Sequence, residues 1–286
     1  MLTLLFDGIA YGMLLFVLAV GLAVTLGLMN FINLAHGAFA MAGGYVAVLL
    51  MNRAGWPFLA TLPAAFVAAA LAGVLLERTL YRPMYARSHL DQVLFSIGLT
   101  FMAIAAVDYF LGSQQQSLQL PPWLQGRFDI EGVGIGRYRL FIIAVCAALT
   151  ILLQSVLTRT RFGSRLRAAV DDPRVAGGLG LDVNRIFALT FAVGSGLAGL
   201  GGALGAEILG LDPTFPLKFM MYFLIVVAVG GTTTITGPLL AALVLGIADV
   251  MGKYYVPKLG AFIVYTLMIV ILMLRPQGLF GRSVAR

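Results

Sequence analysis

Two polar residues, Asn33 and His36, stand in the stretch NFINLAHGAFAMAGG, where almost every neighbour is apolar or small. Asparagine is a favoured N-cap, and with Leu34 as the first helical residue Asn33 would close a helix start that carries His36 in its first turn. Such a start aims free N–H groups and the positive end of the helix dipole outward, which suits a carboxylate or a carbonyl. A histidine beside that positive end favours its neutral form, able to donate or to accept. The chemistry on offer is recognition of a polar ligand group along a path that includes Asn33, His36 and Gly37. The plainer reading is that Asn33 and His36 only satisfy backbone groups at a break between helices.

A second break has a similar signature. Residues 219–248 run without a charge for 30 residues. As one straight helix they would span about 45 Å, more than the roughly 30 Å of a bilayer core. Gly230, Gly231, Gly237 and Pro238 interrupt them, with Thr232 and Thr234 between. Irregular backbone at membrane depth is tolerated where protein or a water-filled cavity surrounds it, and paired broken segments point to a transport path.

Other chemistry is sparse. Two histidines and the single Cys146 make a poor inventory for an intramembrane enzyme or a metal site, and His89 reads as a surface residue of a basic loop. No phosphate-binding G-x-x-x-x-G-K-[ST] loop occurs, since GGTTTIT lacks the lysine. Asp7, Asp108, Glu207 and Asp249 fall at span ends, Asp249 with Lys253 one turn on as a partner. An ion-coupled carrier would call for a carboxylate nearer the midplane.

The elements that hold these residues follow from composition. The 286 residues are 60% hydrophobic and 11% charged, with mean hydropathy +0.98, so the fold class is an all-α polytopic membrane protein in a single transmembrane domain, 1–286. Apolar stretches at 5–28, 34–51, 57–76, 92–111, 139–157, 186–208, 218–231, 237–251 and 258–274 predict eight or nine segments, two of them broken or re-entrant. The first 29 residues lack a basic start and hold Asp7, unlike a cleaved signal peptide. The net charge of +7 is read as topogenic, with no role for nucleic acid. Twelve arginines fall in the loops 77–91 and 158–185 and the tail, against seven basic residues on the other side. The positive-inside rule then sets the N-terminus outside and the C-terminus in the cytoplasm. Small residues from Ala35 to Gly44, and again at Gly194, Gly196, Gly199, Gly201, Gly202 and Gly205, predict close helix packing.

The 158–185 loop has its own design. It predicts a short helix over 166–170, a break at Asp172-Pro173 and a second short helix to Gly178, with Pro173 at a first helical position and Asp172 as its cap. Its basic pattern alone favours a lipid-facing anchor over a docking surface.

Taken in order, NLAHGAFAMAGGYVA, RAAVDDPRVAGGLGLDVNRIFALTFAVGSGLAGLGGAL, VVAVGGTTTITGPLLAALVLGI and LMLRPQGLFG resemble the branched-chain amino-acid permeases of bacterial ABC importers, the LivH type, over nearly the whole chain. The resemblance implies a permease of the bacterial inner membrane without its own nucleotide site or cofactor. It implies a second permease of the same fold, two cytoplasmic ATPases, a periplasmic binding protein, and import of leucine, isoleucine or valine by alternating access. It also makes the 158–185 loop the ATPase coupling segment, through Arg167, Ala168, Ala169, Asp171, Asp172, Ala176 and Gly180, in place of a lipid anchor. The family's usual G-G-x-G-S-x-x-G is here GGTTTITG, a departure that bears on substrate choice. Urea and short-amide permeases share this layout and are the alternative.

Overall fold

The computed structural model describes residues 1–29, 31–130, 133–231 and 234–279. Eleven helices account for most of them: α1 (Leu2–Met29), α2 (His36–Ala54), α3 (Phe58–Leu76), α4 (His89–Leu111), α5 (Arg137–Arg159), α6 (Arg161–Asp171), α7 (Pro173–Gly178), α8 (Val183–Leu209), α9 (Phe215–Gly230), α10 (Thr236–Tyr255) and α11 (Gly260–Leu274). Each apolar stretch expected from the sequence falls on one of them. Among the described residues, six helices are long and apolar enough to cross a membrane, and two shorter apolar ones lie at Phe215–Gly230 and Phe262–Leu274. The all-α class stands, with one short hairpin added to it. Ahead of α5, β1 (Arg127–Ile130) and β2 (Val133–Gly136) pair antiparallel, with Arg127 opposite Gly136. The alternation in RFDI and VGIG supplies the two-residue period that a hairpin requires.

Local signals set the helix ends. Ser88 caps α4 by accepting from the Asp91 N–H, and Gly55 ends α2 in the left-handed conformation, φ 66°. Asp182 caps α8 by accepting from the Arg185 N–H.

Two helices form the axis of the bundle. In α1 and α8, 83% and 78% of the apolar window is buried, against 11% in α4 and 17% in α5. The outer helices present Leu94, Phe101, Met102, Phe110, Ile151 and Leu152 to their surroundings, as helices bordering lipid or another apolar surface do. The glycine face of α8 explains how three neighbours reach it. A Cβ on Gly202 would stand 1.8 Å from the Ala40 carbonyl oxygen of α2, and one on Gly43 would stand 2.2 Å from that of Gly199. On α1, Gly21 meets the Gly194 carbonyl, and on α3, Gly73 meets Ser195. Backbones thus touch where side chains would hold them apart, the packing expected of small-residue faces.

Candidate functional site

The first break is an extended strand of chain that turns back inside the bundle. After α1 ends at Met29, the chain climbs beside its own helix until His36 Nε2 lies 2.9 Å from the Leu18 carbonyl oxygen. Leu18 lies about three helical turns before the end of α1. Because a carbonyl only accepts, His36 donates from Nε2. The ring also meets Phe223 of α9 edge-on at 6.3 Å, and Gly37 packs on Pro216 at the start of that helix.

Inside the bundle, the open backbone of this stretch requires partners. α4 supplies them through three buried polar side chains one turn apart, Gln92, Ser96 and Thr100. Gln92 Oε1 accepts from Ile32 N–H at 3.3 Å, and Ser96 Oγ accepts from Leu34 N–H at 3.1 Å. Ser96 and Thr100 hydroxyls reach the Ile32 and Leu34 carbonyls. Sequence reasoning overlooked this ladder, although polar residues at 92, 96 and 100 in an otherwise apolar helix were its signal.

Asn33 is buried, and its role differs from the predicted N-cap. α2 begins two residues later than expected, at His36, and Ala35 in the cap position makes no side-chain bond. Asn33 Oδ1 instead accepts from Ala35 N–H at 3.1 Å and from the Tyr81 hydroxyl at 3.0 Å. The short asparagine side chain bonds the backbone two residues on, an Asx turn, and so ends the extended stretch before the helix can start. Tyr81 is held in turn among Phe31, Phe95 and Phe191, with ring centroids 4.7–5.4 Å away. In this conformation Asn33 and His36 are both engaged within the chain.

The second break lies between α9 and α10. Gly231 leaves α9 at φ 80°, and Gly230 sits so close to Pro238 that a Cβ would fall 2.4 Å from its nitrogen. Thr232 lies outside the described residues. Thr234 is exposed, and its Oγ1 accepts from the Gly237 N–H at 3.3 Å, supporting the start of α10. The far end of the chain closes the other side: Leu279 N–H donates to the Val229 carbonyl at 2.7 Å, and Arg275 Nη1 donates to the Leu279 carbonyl. The stretch RPQGL, Arg275 to Leu279, is therefore a cap for α9.

In the 158–185 loop the break at Asp172-Pro173 and the end at Gly178 stand as predicted. Asp172 Oδ1 accepts from the N–H groups of Arg174 and Val175, and Gly180 takes φ 84°. The first helix starts five residues earlier than expected, because Thr160 caps it by accepting from Gly163 N–H. α6 and α7 form a hairpin with a small core of Leu166, Ala169, Ala176 and Ile186. Ala169 and Ala176 thus face inward and hold the hairpin together, whereas Ala168, Asp171, Asp172 and Gly180 are on its surface. Val175 and Leu179, 58% and 78% exposed, stand out there as large apolar groups facing solvent. Arg167 bends back so that Nη1 donates to the Leu157 carbonyl at the end of α5.

The second break and the hairpin share a cavity. A cavity of about 200 Å³ is walled by Ala23 and Val24 of α1, Leu157 of α5, Leu166 and Arg167 of α6, and Thr234 and Ile235 of the break.

Against known proteins, residues 4–272 match the family described as the branched-chain amino acid transport system permease component. The chain is 27% identical to the high-affinity branched-chain amino acid transport system permease protein BraD of Pseudomonas aeruginosa, covering 97% of this chain and 95% of BraD. It is 27% identical to the LivH protein of Escherichia coli K12, with 97% and 94% covered. With the probable LivH of Methanocaldococcus jannaschii it shares 28%, with 96% and 90% covered. No solved structure matches.

Proposed function

The chain belongs to the family of branched-chain amino acid transport permease components, and from that premise we propose that it is the membrane-spanning subunit of an ATP-driven importer of leucine, isoleucine and valine. It works beside a second permease of the same fold, two cytoplasmic ATPases and a binding protein outside. Its N-terminus lies outside and its C-terminus in the cytoplasm, as the twelve arginines on the loop and tail side favour. Energy enters through the α6–α7 hairpin, whose exposed Val175 and Leu179 offer an apolar contact to an ATPase.

The observation that supports this reading is the cavity where Arg167 and Leu166 of α6 meet Thr234 and Ile235 of the second break. A hairpin pushed by an ATPase bears directly on the α9–α10 junction. Gly231 and the exposed Thr234 are where the backbone there has freedom to change. Motion at that junction reaches the first break through the contacts of α9 with His36 and Gly37. Alternating access is then a shift of two half-helices around a shared axis, with Asn33, His36, Gly37, Gly230, Gly231, Thr232, Thr234 and Gly237 on the moving side.

The test is uptake of radiolabelled leucine into membrane vesicles holding the permease, its neighbouring ATPases and the binding protein. ATP-dependent leucine uptake is expected, and uptake of urea in its place would overturn the substrate assignment. Leu179→Arg should reduce copurification of the ATPase and uptake together while leaving thermal stability unchanged. Intact uptake in that variant would remove the hairpin from the coupling path.

A further inference from the structure

At the end of the bundle opposite the 158–185 loop, a cavity of about 300 Å³ opens between α1, α5, α8, α9 and α10. That is the lower end of the range for small-ligand sites, about 300–1,000 Å³. Four charged groups line it: Asp7 from α1, Arg139 from α5, and Asp249 and Lys253 from α10. Arg139 pairs with Asp7, and Lys253 Nζ donates to Asp249 Oδ2 at 2.6 Å. The Tyr222 hydroxyl donates to the other Asp249 oxygen at 3.3 Å.

The charges are graded by depth. The Asp249 and Asp7 side chains are 3% and 16% exposed, whereas those of Lys253 and Arg139 are 52% and 40% exposed. Carboxylates therefore lie inside and cations at the mouth. The remaining wall is Tyr11, whose ring centroid lies 5.9 Å from Lys253 Nζ, and the apolar Ile208, Leu209, Phe219 and Val250.

The geometry assigns this cavity as a binding site for a zwitterionic α-amino acid with an aliphatic side chain. The substrate's ammonium group goes inward to Asp249, its carboxylate meets Lys253 and Arg139 at the mouth, and its side chain lies against Phe219 and Val250. Entry exchanges the Asp249–Lys253 pair for an Asp249–ammonium and a Lys253–carboxylate pair, and no net charge changes. Arg139 keeps Asp7 while its free N–H groups also face the carboxylate. Asp249 is thus never left buried without a cation, the state that would cost most. A singly charged analogue lacks that compensation. An aliphatic amine can satisfy Asp249 and leaves only the exposed Lys253 free. An aliphatic carboxylate that draws Lys253 away strands Asp249. The expected order is leucine, then isoamylamine, then isocaproate. The assignment rests on the transport reading for its choice of amino acid but not for its measurement.

Val250→Cys in a Cys146→Ser background, in the full chain in its membrane, gives the test. The rate of labelling by a thiol reagent is followed with increasing leucine, isoamylamine or isocaproate. Leucine should protect at the lowest concentration and isocaproate at the highest. Asp249→Asn should raise the protecting concentration of leucine by about tenfold or more, the scale of one charge-assisted hydrogen bond, and Asp249→Glu should restore much of it. If Asp249→Asn does not reach the membrane, Lys253→Gln at the exposed mouth should weaken leucine in the same direction. Isocaproate protecting as well as leucine, no protection by leucine, or a cysteine that no reagent reaches would each overturn the site. Leucine uptake by the wild type, measured in parallel, separates the two ideas. Uptake without protection sinks the site and keeps the transport reading; protection without uptake does the reverse.

Discussion

Asn33 offers a sharp test of the first break, because a single oxygen there serves two buried donors. Asn33→Ala removes the acceptor of both the Ala35 N–H and the Tyr81 hydroxyl. Ala35 and Tyr81 are each fully buried, and three aromatic rings surround the tyrosine, so water has no way in to replace the lost bond. Each orphaned donor costs about 1–3 kcal/mol, for a total of about 2–6 kcal/mol. Tyr81→Phe removes one of those donors together with its need for a partner, and should cost only about 0.5–1.5 kcal/mol. In the double variant the hydroxyl is no longer stranded, so the combined loss should fall short of the sum by about 1–3 kcal/mol. The assay is a thermal ramp with a fluorogenic thiol dye on Cys146, the chain's one cysteine, which is buried until the bundle opens. Additive losses, within about 0.5 kcal/mol, would show that Asn33 and Tyr81 do not share this bond.

Gly202→Ala should destabilise the protein by about 1–3 kcal/mol or more, since the added carbon meets the Ala40 backbone and no rotamer can yield; the same change at Gly177, which faces open space, should leave the dye ramp unmoved. Burial of Asp212, in the turn before α9, would raise its carboxyl, but hydrogen bonds from Lys218 and Thr214 outweigh it and hold the group below its usual range. A depressed carboxyl contributes stability that is present above the unfolded value of about 3.9 and lost as pH falls through the folded one. The wild type should therefore melt above Asp212→Asn at pH 7, and the gap should close in acid; a gap that widens in acid would refute the assignment. For orientation, Gln125→Cys should react with an impermeant thiol reagent on intact cells and Arg174→Cys should not, both in a Cys146→Ser background; the opposite pattern would reverse the topology.

Features written in short-range chemistry were legible in advance. The charge-free connection at 29–34 could not be an ordinary solvated loop, and its residues 31–34 lie inside the bundle. The Asp172-Pro173 pair marked a helix boundary because cap and φ restriction both act within a few residues. The small faces of α2 and α8 announced close packing, though not which glycine would meet which. What escaped was set at long range. Nothing near Asn33 shows that Tyr81, 48 positions away, would take the oxygen meant for a cap. The start of α6 was missed because Gly163 argues locally against a helix, while in the fold it lets the hairpin approach the Leu157 carbonyl. Ala169 and Ala176, placed by the resemblance in the coupling segment, are turned inward by the packing of α6 against α7.

The bond from Leu279 to the Val229 carbonyl links two residues made at different times. During synthesis α9 leaves the ribosome first, then α10, then α11, and only afterwards the residue that covers the last turn of α9. At about 5–20 residues per second, that end of α9 stays open for some seconds. During this interval the nascent chain carries an uncapped Val229 carbonyl beside Gly230 and Gly231. Assembly of the second break is therefore finished from its far end, and a chain cut short before residue 279 lacks the N–H that latches α9.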